Sequence, residues 1–172
     1  LIEAVFPFHE YQEAFARARE ALRMECRPDA CGIVPVGDVE IVLLDQGRPS
    51  PVFEAWGEVS ESVRRCLAER FANDSRPEAG RVAAGHYPFG LPSGRPIPRP
   101  YALRGADELR TLLQEGGVRA YFCGHLHQAF TRELFPGCTQ YCAGSVTAAG
   151  RPRCFACGPD GVEELALPAA GR

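Results

Sequence analysis

The chain has 172 residues, of which 45% are hydrophobic and 24% are charged, and these proportions are those of an ordinary globular protein. We therefore expect one domain over residues 1–172, large enough to bury its own core. The net charge of −3 gives no electrostatic basis for binding nucleic acid or an anionic membrane. No apolar run is long enough to cross a bilayer and no signal peptide is visible, so we expect a cytoplasmic protein.

The first 45 residues carry a helix signal followed by a hairpin signal. Apolar residues at three- and four-residue spacing predict an amphipathic helix over residues 10–24. Residues 31–45 contain two short β-branched runs around Gly37-Asp38, which predict a hairpin with a buried strand at 39–45.

The middle of the chain alternates loops with regular elements. Residues 47–57 are rich in turn-forming residues and predict a loop. A stripe of apolar residues at four-residue steps predicts a helix over 59–72, for which Ser60 is a suitable N-cap. A small-residue strand is predicted at 81–85, and the five prolines of residues 86–100 predict a long loop of the kind that often has a function.

The remainder of the chain predicts one further helix and a series of strands. The helix is expected over 106–115 and the next strand over 118–124. Antiparallel strands are then expected near 128–134, 138–143, 152–157 and 162–167. This order of elements predicts a mixed α/β (α+β) fold with at least two sheets.

Two histidines stand at the end of the strand predicted over 118–124. His125 and His127 flank Leu126 in "GHLH", and alternate residues of an extended segment face the same side. Both imidazoles would then reach one point, where they could bind a transition metal. Taken alone, two unrelated surface or core histidines remain an alternative.

His86 occupies an equivalent position after the strand predicted over 81–85. It is followed by the proline-rich loop, at the edge of the sheet where α/β proteins bind their ligands. Three of the four histidines of the chain therefore follow predicted strands that could be neighbours. This placement favours one shared site.

The segments "GHYPF", "YFCGHLHQ" and "CAGSVTA" resemble the last three sequence blocks of the calcineurin-like metallophosphoesterases. "VEIVLLDQG" and "EVSESVRRCLAERF" are similar to a central strand and the following helix of that family, so the resemblance covers about residues 31–150. The form "CGHLHQ" is most similar to the cyclic-nucleotide phosphodiesterase branch.

The resemblance implies part of a four-layer αββα sandwich with two divalent metal ions (Mn, Fe or Zn) at its mouth. It assigns His86 and His125 as ligands of the second metal and His127 as a ligand of the first. The implied activity is hydrolysis of a phosphomonoester or phosphodiester by hydroxide held between the two metals, which also stabilise the phosphoryl charge. The implied partner is a small phosphorylated substrate, such as a cyclic nucleotide.

The sequence departs from the family in its first half. Asp-x-His, Gly-Asp-x-x-Asp and Gly-Asn-His are absent, and Gly37-Asp38 is the only Gly-Asp pair. Because the chain also begins with Leu1, we expect the C-terminal portion of such an enzyme, with its N-terminal portion missing and with no activity of its own. A non-catalytic protein-binding module on the same fold is an alternative.

The eight cysteines raise a second alternative. Most lie in apolar segments, and without a secretory signal we expect reduced thiols rather than a disulfide framework. Cys138, Cys142, Cys154 and Cys157 could form a structural zinc site with four thiolate ligands. Residues three apart on a strand face opposite sides, which disfavours that site.

Six further residues are weaker candidates for the site. We expect His9 to lie at the surface or cap a helix, Cys123 to be a buried strand residue, and Ser145 to position backbone near the metals rather than act as a nucleophile. Three arginines in and after the long loop could bind a substrate phosphate or simply be solvated: Arg95, Arg99 and Arg104.

Overall fold

A computed structural model describes residue 17 and residues 31–73, 80–145 and 152–166. The helix predicted over 10–24 lies outside these residues except for Arg17, which is helical, and His9 also lies outside them. Among the described residues, no helix is long and apolar enough to cross a membrane.

The main element is a six-stranded mixed sheet in the order β1-β2-β4-β6-β8-β7. The four central strands are parallel, and β1 and β7 pair antiparallel at the two edges. The strands of this sheet are β1 (Cys31–Val36), β2 (Val39–Leu44), β4 (Gly80–Ala84), β6 (Val118–Cys123), β7 (Ala129–Phe135) and β8 (Cys138–Ala143).

Two pairs of strands lie outside this sheet. β3 (Gly57–Glu58) pairs with β5 (Leu103–Arg104), and β9 (Cys154–Gly158) forms a hairpin with β10 (Gly161–Leu165). The predicted mixed α/β fold with at least two sheets is therefore confirmed. The four-layer arrangement stays a prediction.

Two helices cover one face of the main sheet. Helix α1 (Glu61–Ala72) begins where predicted, because the Ser60 hydroxyl accepts a hydrogen bond from the Val63 amide at 3.2 Å. Helix α2 (Ala106–Glu115) follows β5. Both helices contribute leucine and valine side chains to the larger core, namely Val63, Leu67, Leu109 and Leu113.

The opposite face of the sheet packs against the β9–β10 hairpin. Residues alternate between the two faces along each strand, so Val42 joins the helix-side core while Val39 and Ile41 join a smaller cluster that includes Val162 of the hairpin. The Arg153 guanidinium fixes the hairpin to the sheet, since it donates to the carbonyls of Phe130 and Cys142 and to the Glu164 carboxylate.

The end of the sheet where the parallel strands begin is held by a buried ion cluster. Glu40 in β2 is 1% exposed, and its carboxylate accepts hydrogen bonds from Arg70 at 2.6 Å and from Arg81 at 2.9 and 3.0 Å. Arg81 also donates to the carbonyl of Gly116 after α2. One cluster therefore joins β2, β4, α1 and the end of α2.

One disulfide corrects the expectation of reduced thiols. Cys31 in β1 and Cys66 in α1 are bonded, with their Cα atoms 6.7 Å apart. The pairing is a tertiary contact across the helix-side core between residues 35 positions apart, so the local sequence carried no sign of it. The free cysteines of the described residues include Cys123, which is buried as predicted.

Candidate metal centre

The candidate site lies where the parallel strands β4 and β6 end. His86 follows β4 and His125 follows β6, and the two strands are neighbours in the sheet. Backbone pairing continues beyond the strands, because the Gly85 amide donates to the Phe122 carbonyl and the Gly124 amide to the His86 carbonyl, both at 2.9 Å. The prediction that these two strand ends are adjacent is confirmed.

The imidazoles of His86 and His125 are in contact. Their ring centroids are 5.3 Å apart and the rings meet edge to face at 72°. The ring of Tyr87 contacts both, with its centroid 5.0 Å from that of His86 and 4.5 Å from that of His125. We refer to His86, Tyr87 and His125 as the histidine cluster.

The segment that carries His125 and His127 is a bend, so the predicted extended conformation is wrong. Both residues have positive φ angles, 66° and 54°, a region that side chains other than glycine rarely adopt. The Leu126 amide donates to the Gly124 carbonyl at 2.8 Å, which with the φ of His125 is the pattern of a γ-turn. Strain of this kind concentrates at functional sites.

The bend separates His127 from the other two histidines. His127 is exposed and makes no ring contact with His86 or His125, although its charge lowers the pKa of both. Side chains two residues apart face the same side only in an extended backbone. The backbone of "GHLH" turns instead, so the side chains of His125 and His127 do not converge. The structure therefore brings together two of the three predicted ligands.

A buried glutamine fixes the backbone of the histidine cluster. Gln46, which follows β2, is 2% exposed, and its Oε1 accepts from the amides of His86 at 2.8 Å and Tyr87 at 2.9 Å. Its Nε2 donates at 3.0 Å to the hydroxyl of Tyr121, which in turn donates to the Tyr87 carbonyl at 2.7 Å. Three of the four parallel strands that end at this edge, β2, β4 and β6, are therefore linked.

Gly85 is required by this network. A Cβ atom at residue 85 would lie 2.6 Å from Gln46 Oε1 and 2.7 Å from the Tyr121 hydroxyl. Sequence reasoning missed Gln46, Tyr87 and Tyr121, and the only sequence signal was that Gln46 follows a predicted strand, as His86 and His125 do.

The electrostatic environment favours neutral imidazoles. Loss of hydration and then the charge of His127 lower the pKa of His86 below its ordinary value. Loss of hydration and the charge of His86 likewise lower the pKa of His125, although a hydrogen bond from its ring to the Tyr101 carbonyl opposes the shift. Neutral imidazole is the form that binds a metal ion.

The donor set fits a metal ion only in part. The two adjacent neutral imidazoles fit two ligand positions of one ion, and nitrogen ligands suit Zn, Mn or Fe. However, the described residues contain no group of three or more His, Cys, Asp or Glu side chains that could hold an ion. Cys138, Cys142, Cys154 and Cys157 are among the described residues and form no such group, so the structure gives the four-thiolate zinc site no support.

The remaining candidates are distributed around the cluster. The Cys142 thiol donates to the Gly124 carbonyl at 3.1 Å, beneath the bend. Ser145 is half-buried after β8. Arg99 and Arg104 line one cleft with Glu54 and Pro100, whereas the Arg95 carbonyl accepts from Leu91 in a separate exposed turn.

Comparison with known proteins adds no identification. The chain matches no known protein-family profile, and it matches no curated protein sequence at a significant level.

Proposed function

We propose that the chain is part of a metal-dependent phosphoric-ester hydrolase of the metallophosphoesterase type, with a small phosphorylated substrate. The observation that carries the proposal is the contact between His86 and His125 at the ends of adjacent parallel strands. A strained bend and a buried glutamine hold them there, which is more constraint than two incidental surface histidines need.

His86 and His125 would hold one divalent ion, and His127 is assigned to a second ion by the family resemblance alone. When bound, such ions activate water for attack on phosphorus and neutralise charge on the phosphoryl oxygens. The chain's own contribution is to position two neutral imidazoles and to shield their inner sides with Tyr87. The four-layer sandwich belongs to the same proposal.

The ligand set in this chain is incomplete, so we expect metal binding without turnover. The aspartate and asparagine motifs of the family occur nowhere in the 172 residues. With bis(4-nitrophenyl) phosphate and Mn²⁺, the chain should therefore show no hydrolysis above that of Mn²⁺ alone. Metal-dependent turnover abolished by His125→Ala would contradict this part of the proposal.

Titration with Co²⁺, followed by its visible absorption, tests the metal site. His86→Ala and His125→Ala should each weaken Co²⁺ binding by more than about tenfold, since even the loss of a residue that orients a ligand costs that much. Gln128→Ala is the matched control, because Gln128 is exposed beside His127 and belongs to no predicted ligand set. Binding that is unchanged in both histidine variants would refute the proposal.

The absorption spectrum also separates the alternatives. Nitrogen and oxygen ligands give weak visible bands, whereas thiolate ligands add intense charge-transfer absorption in the near ultraviolet. One tightly bound ion with thiolate absorption, lost in Cys154→Ser, would favour the structural zinc site. Absence of any metal binding would favour the non-catalytic binding module.

A further inference from the structure

A cleft of about 310 Å³ opens between the segment before β3 and the segment that leads into β5, and its walls are Glu54, Arg99, Pro100 and Arg104. Backbone hydrogen bonds hold these walls together. The Ala55 amide donates to the Pro100 carbonyl at 2.9 Å, and Arg104 belongs to β5, which pairs with β3. The cleft is therefore part of the hydrogen-bonded framework rather than a gap between unattached loops.

The cleft carries an excess of positive charge. Two arginines and one glutamate line it, and across residues 31–73, 80–145 and 152–166 neither Arg99 nor Arg104 forms an ion pair. The Arg104 guanidinium lies over the ring of Trp56, 3.4 Å from the ring centroid. Such stacking fixes the plane of the guanidinium and leaves its N–H edges free to donate to an anion.

The cleft and the histidine cluster share one short segment. Arg99 and Pro100 line the cleft, and the carbonyl of the next residue, Tyr101, lies close enough to the His125 ring to raise the pKa of that imidazole. Neighbouring Cα atoms are about 3.8 Å apart, so the cleft wall lies within one residue of a contact made by the histidine. The cleft wall and the histidine cluster are therefore connected through the backbone of residues 99–101.

We propose that this cleft binds a second phosphate group of the substrate, away from the ester at the histidine cluster. The substrate class is then a phosphoester with at least two phosphates, such as a nucleoside polyphosphate or a bisphosphate, rather than a simple monoester. Paired arginines suit phosphate because each guanidinium can donate two parallel hydrogen bonds to its oxygens. The substrate assignment rests on the proposed function, whereas anion binding by the cleft rests on its own contacts.

The test uses pyrophosphate as the probe, with the 172-residue chain in EDTA so that no metal contributes. Trp56 is the only tryptophan in the chain and stacks on Arg104, so its fluorescence reports on the cleft directly. Binding is measured in parallel by calorimetry. Arg99→Gln and Arg104→Gln should each weaken binding by about tenfold, the effect of losing a charge-assisted hydrogen bond.

Two further variants sharpen the test. Glu54→Gln should strengthen pyrophosphate binding, since it removes the carboxylate found among the described residues that line the cleft. Arg65→Gln is the matched control, because Arg65 is exposed on α1 and the substitution changes the net charge by the same amount. Circular dichroism checks that each variant is folded. Arg104→Gln also removes the guanidinium that stacks on Trp56, whereas Arg99→Gln keeps that stack, so Arg99→Gln tests the charge alone.

The outcomes separate this proposal from the proposed function. The cleft assignment is overturned if pyrophosphate does not bind, if Arg65→Gln weakens binding as much as Arg99→Gln, or if succinate binds as tightly as pyrophosphate. Pyrophosphate binding that requires Arg99 and Arg104 supports it even if Co²⁺ fails to bind. Loss of Co²⁺ binding alone counts against the metal centre and not against the cleft.

Discussion

Replacement of Gln46 by leucine tests whether the buried glutamine holds the candidate site together. Leucine has a similar size but can neither accept hydrogen bonds from the His86 and Tyr87 amides nor donate one to Tyr121. Each buried donor left without a partner costs about 1–3 kcal/mol, and the gain from burying an apolar side chain offsets part of the total. We expect Gln46→Leu to lower the free energy of unfolding by about 3 kcal/mol.

Urea unfolding measures this change, with the slope m as a check that only stability has altered. Gln114→Leu is the matched control, because Gln114 is exposed on α2 and should change stability by less than about 0.5 kcal/mol. A double-mutant cycle with Tyr121→Phe should give a coupling of about 1 kcal/mol for the 3.0 Å contact between Gln46 Nε2 and the Tyr121 hydroxyl. A loss for Gln46→Leu no larger than that of the control would refute the reasoning.

Three further predictions concern the ion cluster, the bend and the histidine cluster. Glu40→Gln removes the charge between Arg70 and Arg81 and should lower the free energy of unfolding in urea by about 3 kcal/mol. Glu58, the exposed partner of Arg48, should tolerate the same substitution. Equal losses in the two variants would contradict the assignment. The free energy of unfolding should be about 1 kcal/mol larger for His125→Gly than for His125→Ala. Both variants lose the imidazole, but only glycine adopts a positive φ without strain. A more stable alanine variant would argue against the strained bend. His86 and His125 have lower pKa values in the folded chain than in the unfolded chain, so the unfolded chain binds protons first as the pH falls. The contribution of the two neutral imidazoles to stability is therefore complete above pH 6.5. It is lost as the pH falls from there through their pKa values in the folded chain. The urea midpoint should therefore fall less between pH 7.5 and 5.5 in His86→Ala than in the original chain, and an equal fall would contradict this.

The sequence predicted those features that depend on neighbouring residues. The hairpin of β1 and β2 follows from β-branched runs around Gly37, whose φ of 57° suits a two-residue turn. Helix α1 follows from its N-cap at Ser60 and its apolar stripe. The positions of His86 and His125 after adjacent strands followed because parallel strands end at the same edge of a sheet.

The features that the sequence did not predict depend on contacts between distant residues. Gln46 is polar and lies in a turn-rich segment, and it is buried only because partners 40 and 75 positions away lie at the same strand ends. The Cys31–Cys66 bond likewise requires β1 and α1 to pack together. The bend at His125 opposes the local preference of the residue for negative φ, so a prediction from local preferences gives the wrong conformation for "GHLH".

The loop over residues 86–101 is held at both ends, and its middle is held to the main sheet by a longer hydrogen bond, from Arg132 to the Leu91 carbonyl at 3.4 Å. Gln46 and Gln140 hold its beginning, and hydrogen bonds from the Ala55 and Gly57 amides to the carbonyls of Pro100 and Ala102 hold its end. Between them lies an exposed turn in which the Leu91 amide donates to the Arg95 carbonyl at 2.9 Å. Since doubling the length of a surface loop costs only about 0.6 kcal/mol, this turn can accept insertions while the histidines keep their places. Under the proposed function, insertions at this turn would change the space available to a substrate while His86 and His125 stay where they are.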